Sequence, residues 1–85
     1  MILLLRVKKE YFDQIKSGEK REEYREVKEY WRARIEGKTF DLIEIICGYG
    51  GERIYFPWNG YEIKTINHPL FDGIATDVYA IKLER

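Results

Sequence analysis

The sequence predicts a small α+β, mainly β fold: about six short strands and two short helices in the order β-α-β-α-β-β-β-β, curled into a small barrel that the helices plug. Three observations point there. The chain has only 85 residues, against about 100–150 for a common domain, so it holds one domain, 1–85, and no enzyme fold of Rossmann or α/β-barrel size. Its helical patterns are confined to the first half. The second half is a series of apolar runs broken by Gly, Pro and Asn, and short strands with short helices do not make a doubly wound parallel sheet. A domain this small buries only about 60–65% of its unfolded surface, so its 13 aromatics must supply a dense core.

The elements follow in order. Ile2 to Val7 is an apolar run that reads as a buried strand. Tyr11, Phe12 and Ile15 then fall at helical spacing, and Gly18 stands where a left-handed cap belongs, giving a helix over Lys9 to Ser17. Lys20 to Arg25 follows too soon after Gly18 to continue that helix and reads as a strand. On a regular strand Glu23 and Arg25 share a face, and Lys20 joins them only through a bulge or turn. Val27, Trp31 and Ile35 recur every fourth residue up to Gly37, giving a helix over Val27 to Glu36 with Trp31 in the core.

Phe40 to Cys47 reads as a buried strand, ending in a lone Cys that behaves as a small hydrophobe. Gly48-Tyr49-Gly50-Gly51 is a loop, and Arg53 to Trp58 a strand whose Pro57 marks an edge or a bulge. Asn59-Gly60 is the strongest hairpin signal in the chain. Tyr61 to Ile66 is the next strand, 67–76 a loop, and Asp77 to Leu83 the last strand. Met1 to Leu5 is too short for a signal-peptide core before Arg6, Lys8 and Lys9 interrupt it, so the chain reads as soluble and cytoplasmic, with no membrane partner.

Charge carries the functional signal. The 15 basic and 15 acidic residues cancel, which argues against a general polyanion binder. Split at residue 38, the cancellation disappears: 11 basic and eight acidic residues precede the split, four basic and seven acidic follow it. Within the first half, Gly18-Glu19-Lys20-Arg21-Glu22-Glu23-Tyr24-Arg25 packs six charges into eight residues. It reads either as a solvated, ion-paired strand or as a convergent site. In a site, Lys20 is a proton acceptor if partly desolvated, Arg25 forks onto a phosphate or base edge, and Glu23 accepts from an exocyclic amine. Tyr49 in its Gly-rich loop is a candidate to stack a base, and Arg53 a candidate to meet a phosphate. Trp58, beside Pro57 and the turn, is a candidate exposed aromatic that would mark a partner surface. His68 has no second His or Cys nearby to share a metal. Neither a metal nor a cofactor is called for.

Gly18-x-Lys20-x-x-Glu23-x-Arg25 resembles the G-x-K-x-x-E-x-R signature of the ASCH domain family, itself similar to the PUA domains of RNA-modifying enzymes. The likeness to small bacterial and phage ASCH proteins extends from the first strand through Tyr30-Trp31, and more weakly to Gly48-Tyr49-Gly50 and Tyr79-Ala80-Ile81-Lys82-Leu83. It implies a PUA-like β-barrel with a cleft lined by the motif strand, and RNA or a nucleoside or nucleotide as ligand. The motif puts Lys20, Glu23, Tyr24 and Arg25 in that cleft, and Tyr49 and Arg53, the loop candidates read from the residues themselves, complete the expected site. One branch of the family hydrolyses the acetyl amide of N4-acetylcytidine through a Lys-activated Thr. Lys20 takes the Lys position, with Glu23 beside it as a second catalytic candidate, but Glu23 also stands where that branch has its Thr, so no hydroxyl nucleophile is supplied there. Another branch is a ribonuclease, and others resemble plain binding modules. Three readings result: a nucleic-acid or nucleotide binder, a small hydrolase acting on a modified cytidine or on RNA, and a phage accessory protein that binds a host protein.

Overall fold

The computed structural model describes residues 1–84. Its elements run β1 (Ile2–Val7), α1 (Lys9–Ser17), β2 (Glu22–Glu26), α2 (Glu29–Ile35), β3 (Leu42–Cys47), β4 (Arg53–Pro57), β5 (Tyr61–Asn67), a 3₁₀ turn (Pro69–Phe71) and β6 (Ala75–Lys82). The strands pair as two three-stranded sheets, β1-β3-β4 and β2-β6-β5. This is the expected α+β element order.

In the first sheet, β1 buries alternate residues, whereas β3 buries Ile45 and Ile46 in succession. Leu3, Leu5 and Val7 point inward from β1, which pairs in parallel with β3, and β4 closes the other edge of β3 in the antiparallel sense. The register lines up Leu3, Ile43 and Phe56 in one cross-strand row and Leu5, Ile45 and Ile54 in the next. Pro57 ends the edge strand β4, where its missing N–H costs no ladder bond. In the second sheet Glu23, Ile81 and Tyr61 form one cross-strand row and Arg25, Tyr79 and Ile63 the next; Ile81 and Tyr79 are buried at their centres, while Ile63 at the end of the second is exposed. Tyr79 and Ile81 join Leu3, Leu5, Ile43, Ile45 and Phe56 in one buried cluster, completed by Phe12 and Ile15 of α1 and Ile35 of α2. The two helices thus cover a core to which both sheets contribute. No helix among the described residues is long and apolar enough to cross a membrane.

Five expectations are corrected. The motif strand begins at Glu22, because the Lys20 N–H bonds back to the Gln14 carbonyl at 3.0 Å, closing α1 instead of joining the ladder. Helix α2 begins at Glu29, because the Val27 N–H still reaches across to the Asp77 carbonyl at 2.9 Å. Strand β6 starts at Ala75, where it pairs with Asn67. Asn59-Gly60 makes no hairpin: β4 belongs to one sheet and β5 to the other. Gly60 has φ 84° while Asn59 keeps a negative φ, so the two-residue turn that needs both positive does not form. The turn carries the chain between sheets, tied by Asn59 Nδ2 donating to the Glu84 carbonyl at 3.0 Å. Trp58 next to it is half-buried, edge-on to Phe40 at 4.9 Å, which removes it as an exposed partner-surface aromatic.

Candidate functional site

The site grows from the end of α1. Gly18, at φ 86°, turns the chain out of the helix, its N–H bonded to the Ile15 carbonyl at 3.2 Å. This reversal lays Lys20 alongside the strand it precedes. Its ammonium donates to the Glu22 carbonyl, stands 3.4 Å from Glu23 Oε1 and lies 4.4 Å from the centre of the Tyr24 ring. Lys20 therefore joins Glu23 through the turn the sequence required, without a strand position of its own.

Glu23 projects to the core side of its sheet, in the row of Ile81 and Tyr61. Its side chain is 10% exposed. A carboxylate there is costly unless paired, and it is paired twice: with Lys20 through Oε1 and with Arg25 through Oε2, where Arg25 Nη2 donates at 2.7 Å. Nη2 also donates to the Arg6 carbonyl at 2.7 Å, linking the motif strand to β1. The guanidinium carbon lies 4.9 Å from the centre of the Trp31 ring. Arg25 Nε is buried without a hydrogen-bond partner, an unspent donor beside the carboxylate.

Two cavities meet at Tyr11 and Tyr24. One, of 290 Å³, is lined by Glu23, Arg25, Tyr11, Tyr24, Trp31 and Phe71. The other, of 680 Å³, holds Lys20, Arg21, Glu22, His68 and Lys82 around the same two tyrosines. His68 is the pivot of this aromatic wall, 6.0 Å from the ring centres of both tyrosines. Its Nδ1 accepts from the Leu70 N–H at 3.1 Å, which assigns the proton of the neutral ring to Nε2. Burial, and then the neighbouring Glu22 carboxylate that accepts from its hydroxyl, raise the Tyr24 phenol above its ordinary range; burial, then Glu10, do the same for Tyr11. Both hydroxyls therefore stay protonated donors at neutral pH. Glu22 faces the opposite side of the strand. Burial would raise its carboxyl, but hydrogen bonds from Lys64, at 2.9 Å, and Tyr24, at 3.1 Å, outweigh it and hold the group below the usual range. Glu22 and Lys64 stand in rows either side of Ala80, whose small side chain leaves room for their ion pair to cross.

Lys20, Glu23, Tyr24 and Arg25 are thus brought together. Tyr49 stands apart from both cavities, 94% exposed, with the Arg6 guanidinium 5.1 Å from its ring centre. Arg53 lies on the other sheet and is bound to Glu44 at 2.6 Å, so it does not reach the cleft. Tyr11, Trp31, His68 and Phe71 line the site without having been expected there. Tyr11 and Trp31 carried helical spacing and read as core. His68 was weighed only as a metal ligand and Phe71 gave no sequence signal, since His68 meets Tyr24, and Phe71 meets His68, only through the fold. Cys47 is half-buried against the core, in the role expected of it.

Chemically, the arrangement offers a clamped carboxylate, two cations and a set of ring faces across two cavities, with Glu23, Arg25 and Trp31 lining one and Lys20 the other. In comparisons with known proteins, no family model, no curated protein and no solved structure matches the chain.

Proposed function

We propose that the protein binds RNA, or a single nucleoside or nucleotide, in the cleft lined by Gly18-x-Lys20-x-x-Glu23-x-Arg25, the function the ASCH resemblance implies. One observation carries the reading. A buried carboxylate on an edge strand is held between Lys20 and Arg25, and with Arg25 it lines a cavity walled by Tyr11, Tyr24, Trp31 and Phe71. Taking charges out of water is costly, and this pair lines a cavity where a polar ligand edge could meet it. A carboxylate has about four lone-pair sites, so Glu23 retains capacity for an exocyclic amine while bonded to both cations. Arg25 Nε supplies a donor, and Tyr11, Tyr24 and Trp31 supply faces for a base. The same reading takes the two sheets as the halves of a PUA-like barrel acting in the cytoplasm.

The test is titration, at low salt, with a panel of nucleosides, nucleotides and short single-stranded RNAs. Binding should weaken with salt for the RNAs. Tyr24→Ala should lower affinity by about 5- to 150-fold, the loss of one stacked base at about 1–3 kcal/mol. Silence across the panel at low salt rejects the function. Hydrolysis of a modified cytidine or of RNA is a second reading, favoured by Lys20 Nζ and Glu23 Oε1 standing 3.4 Å apart at the cleft. Equal turnover of acetylated cytidine and of RNA by the wild type and Lys20→Ala would dismiss it.

A further inference from the structure

The Lys and Arg side chains that make no ion pair among the described residues are Arg6, Lys8, Arg21, Arg34 and Lys38. In a chain whose formal charge is zero, such a remainder would be scattered if it were incidental. It is gathered instead. Lys8 lines the 290 Å³ cavity, Arg34 and Lys38 line a neighbouring groove of 480 Å³, and Arg6 lines both. Only Arg21 lies elsewhere. The groove shares Arg6, Arg25 and Trp31 with the cleft, so the two are continuous, and no carboxylate lines it.

Its floor is a ladder of rings and guanidinium groups. Arg25 sits 4.9 Å from the Trp31 ring centre, Trp31 meets Tyr30 edge-on at 5.0 Å, and Arg34 lies 3.6 Å from the Tyr30 ring centre. Tyr30 is 52% exposed. Beyond Arg25 of β2 the ladder belongs to α2, whose successive residues Tyr30 and Trp31 continue the cleft wall outward, with Arg34 one turn further on.

We infer that this groove is a second subsite, which carries the backbone and flanking bases of a single-stranded RNA leaving the cleft past Trp31. The inference rests on the nucleotide reading of the cleft and gives the part of a strand that flanks the cleft-bound nucleotide its own place on the protein. Unpaired cations without competing carboxylates attract phosphates and release condensed counterions. Exposed ring and guanidinium planes stack bases without regard to sequence. A duplex hides those base faces, so the ladder fits a single strand.

The experiment compares UMP with an oligouridylate of about eight nucleotides, within the range of single-strand site sizes, by fluorescence anisotropy and competition. The proteins are the wild type and the Arg34→Gln/Lys38→Gln double variant, and circular dichroism confirms the fold of each. The wild type should bind the oligomer more tightly than UMP. The double variant should lose that advantage, leave UMP binding unchanged, and lower the slope of log K against log salt by about 1.4, two phosphates at about 0.7 each for a single strand. Oligomer binding that is unchanged in affinity and slope, while UMP still binds, overturns the groove and leaves the cleft. Failure of both ligands to bind removes the cleft reading as well. Capture of an oligoglutamate peptide in place of the oligomer, with the same dependence on Arg34 and Lys38, overturns the RNA assignment in favour of an acidic protein partner.

Discussion

Replacing Glu23 by Ala tests whether the clamp is as costly and as well satisfied as its geometry indicates. The substitution removes a carboxylate whose neighbours are themselves poorly hydrated: the Glu23, Lys20 and Arg25 side chains are 10%, 13% and 17% exposed. Removing one partner of a fully buried pair costs about 3–5 kcal/mol, because the other charge is stranded. Here each cation keeps a second acceptor. Arg25 retains the Arg6 carbonyl and the Trp31 face; Lys20 retains the Glu22 carbonyl and the Tyr24 face. The expected loss is therefore smaller, about 2–3 kcal/mol, close to that of one charge-assisted hydrogen bond with its desolvation. In a domain of this size each kcal/mol moves Tm by about 4–8 °C, so Tm should fall by about 10–20 °C. Thermal unfolding followed by circular dichroism reads this directly, with Asp13→Ala as control. Asp13 pairs with Lys9 where both side chains are more than half exposed, and its loss should leave Tm unmoved. A cycle with Arg25→Ala should show coupling between Glu23 and Arg25. A fall in Tm below about 4 °C, corresponding to less than 1 kcal/mol, would refute the claim that the carboxylate is held in a poorly solvated clamp.

The depressed Glu22 carboxyl contributes stability that is present above its unfolded value of about 4.3 and is lost as pH falls through the lower folded value. The Tm gap between wild type and Glu22→Gln should therefore be widest at neutral pH and close in acid; an equal gap at pH about 3 and 7 would contradict the linkage. At Gly18, a Cβ would meet nothing within 4 Å, so any cost of Gly18→Ala is backbone strain at φ 86° alone. The loss should be about 1–2 kcal/mol, and an unchanged denaturation midpoint would show that the turn relaxes freely.

Local chemistry was legible in the chain where it acts over a few residues. The amphipathic spacing of Tyr11, Phe12 and Ile15 together with the Gly18 cap gave α1 its full span, because helix periodicity and left-handed backbone are properties of neighbours. The apolar run Ile2 to Val7 gave β1, although only Leu3, Leu5 and Val7 turn inward while Ile2 and Leu4 stay exposed. The boundaries that slipped were those set by distant hydrogen bonds: Val27 held by Asp77, and Lys20 drawn back to Gln14. Asn59-Gly60 was correctly a turn, yet its neighbours chose partners in different sheets, a choice made by core rows and invisible in a dipeptide.

The site divides in the same way. By itself the sequence determined that Glu23 and Arg25 share a strand face, with Lys20 and Tyr24 close by in the chain; bringing Lys20 onto Glu23 took the turn at Gly18. Only the tertiary structure decided which side of the sheet Glu23 faces, because β2 pairs with β6 in the register that sets Glu23 against Ile81. It also decided that Trp31 stacks under Arg25, that His68 meets Tyr11 and Tyr24, and that Arg53 is spent on Glu44. The neutral total of the sequence could not show where charge is left over. Ion pairing is a matter of distances in the fold, and it is the fold that neutralises most of the cations and leaves Arg6, Lys8, Arg34 and Lys38 along one continuous face.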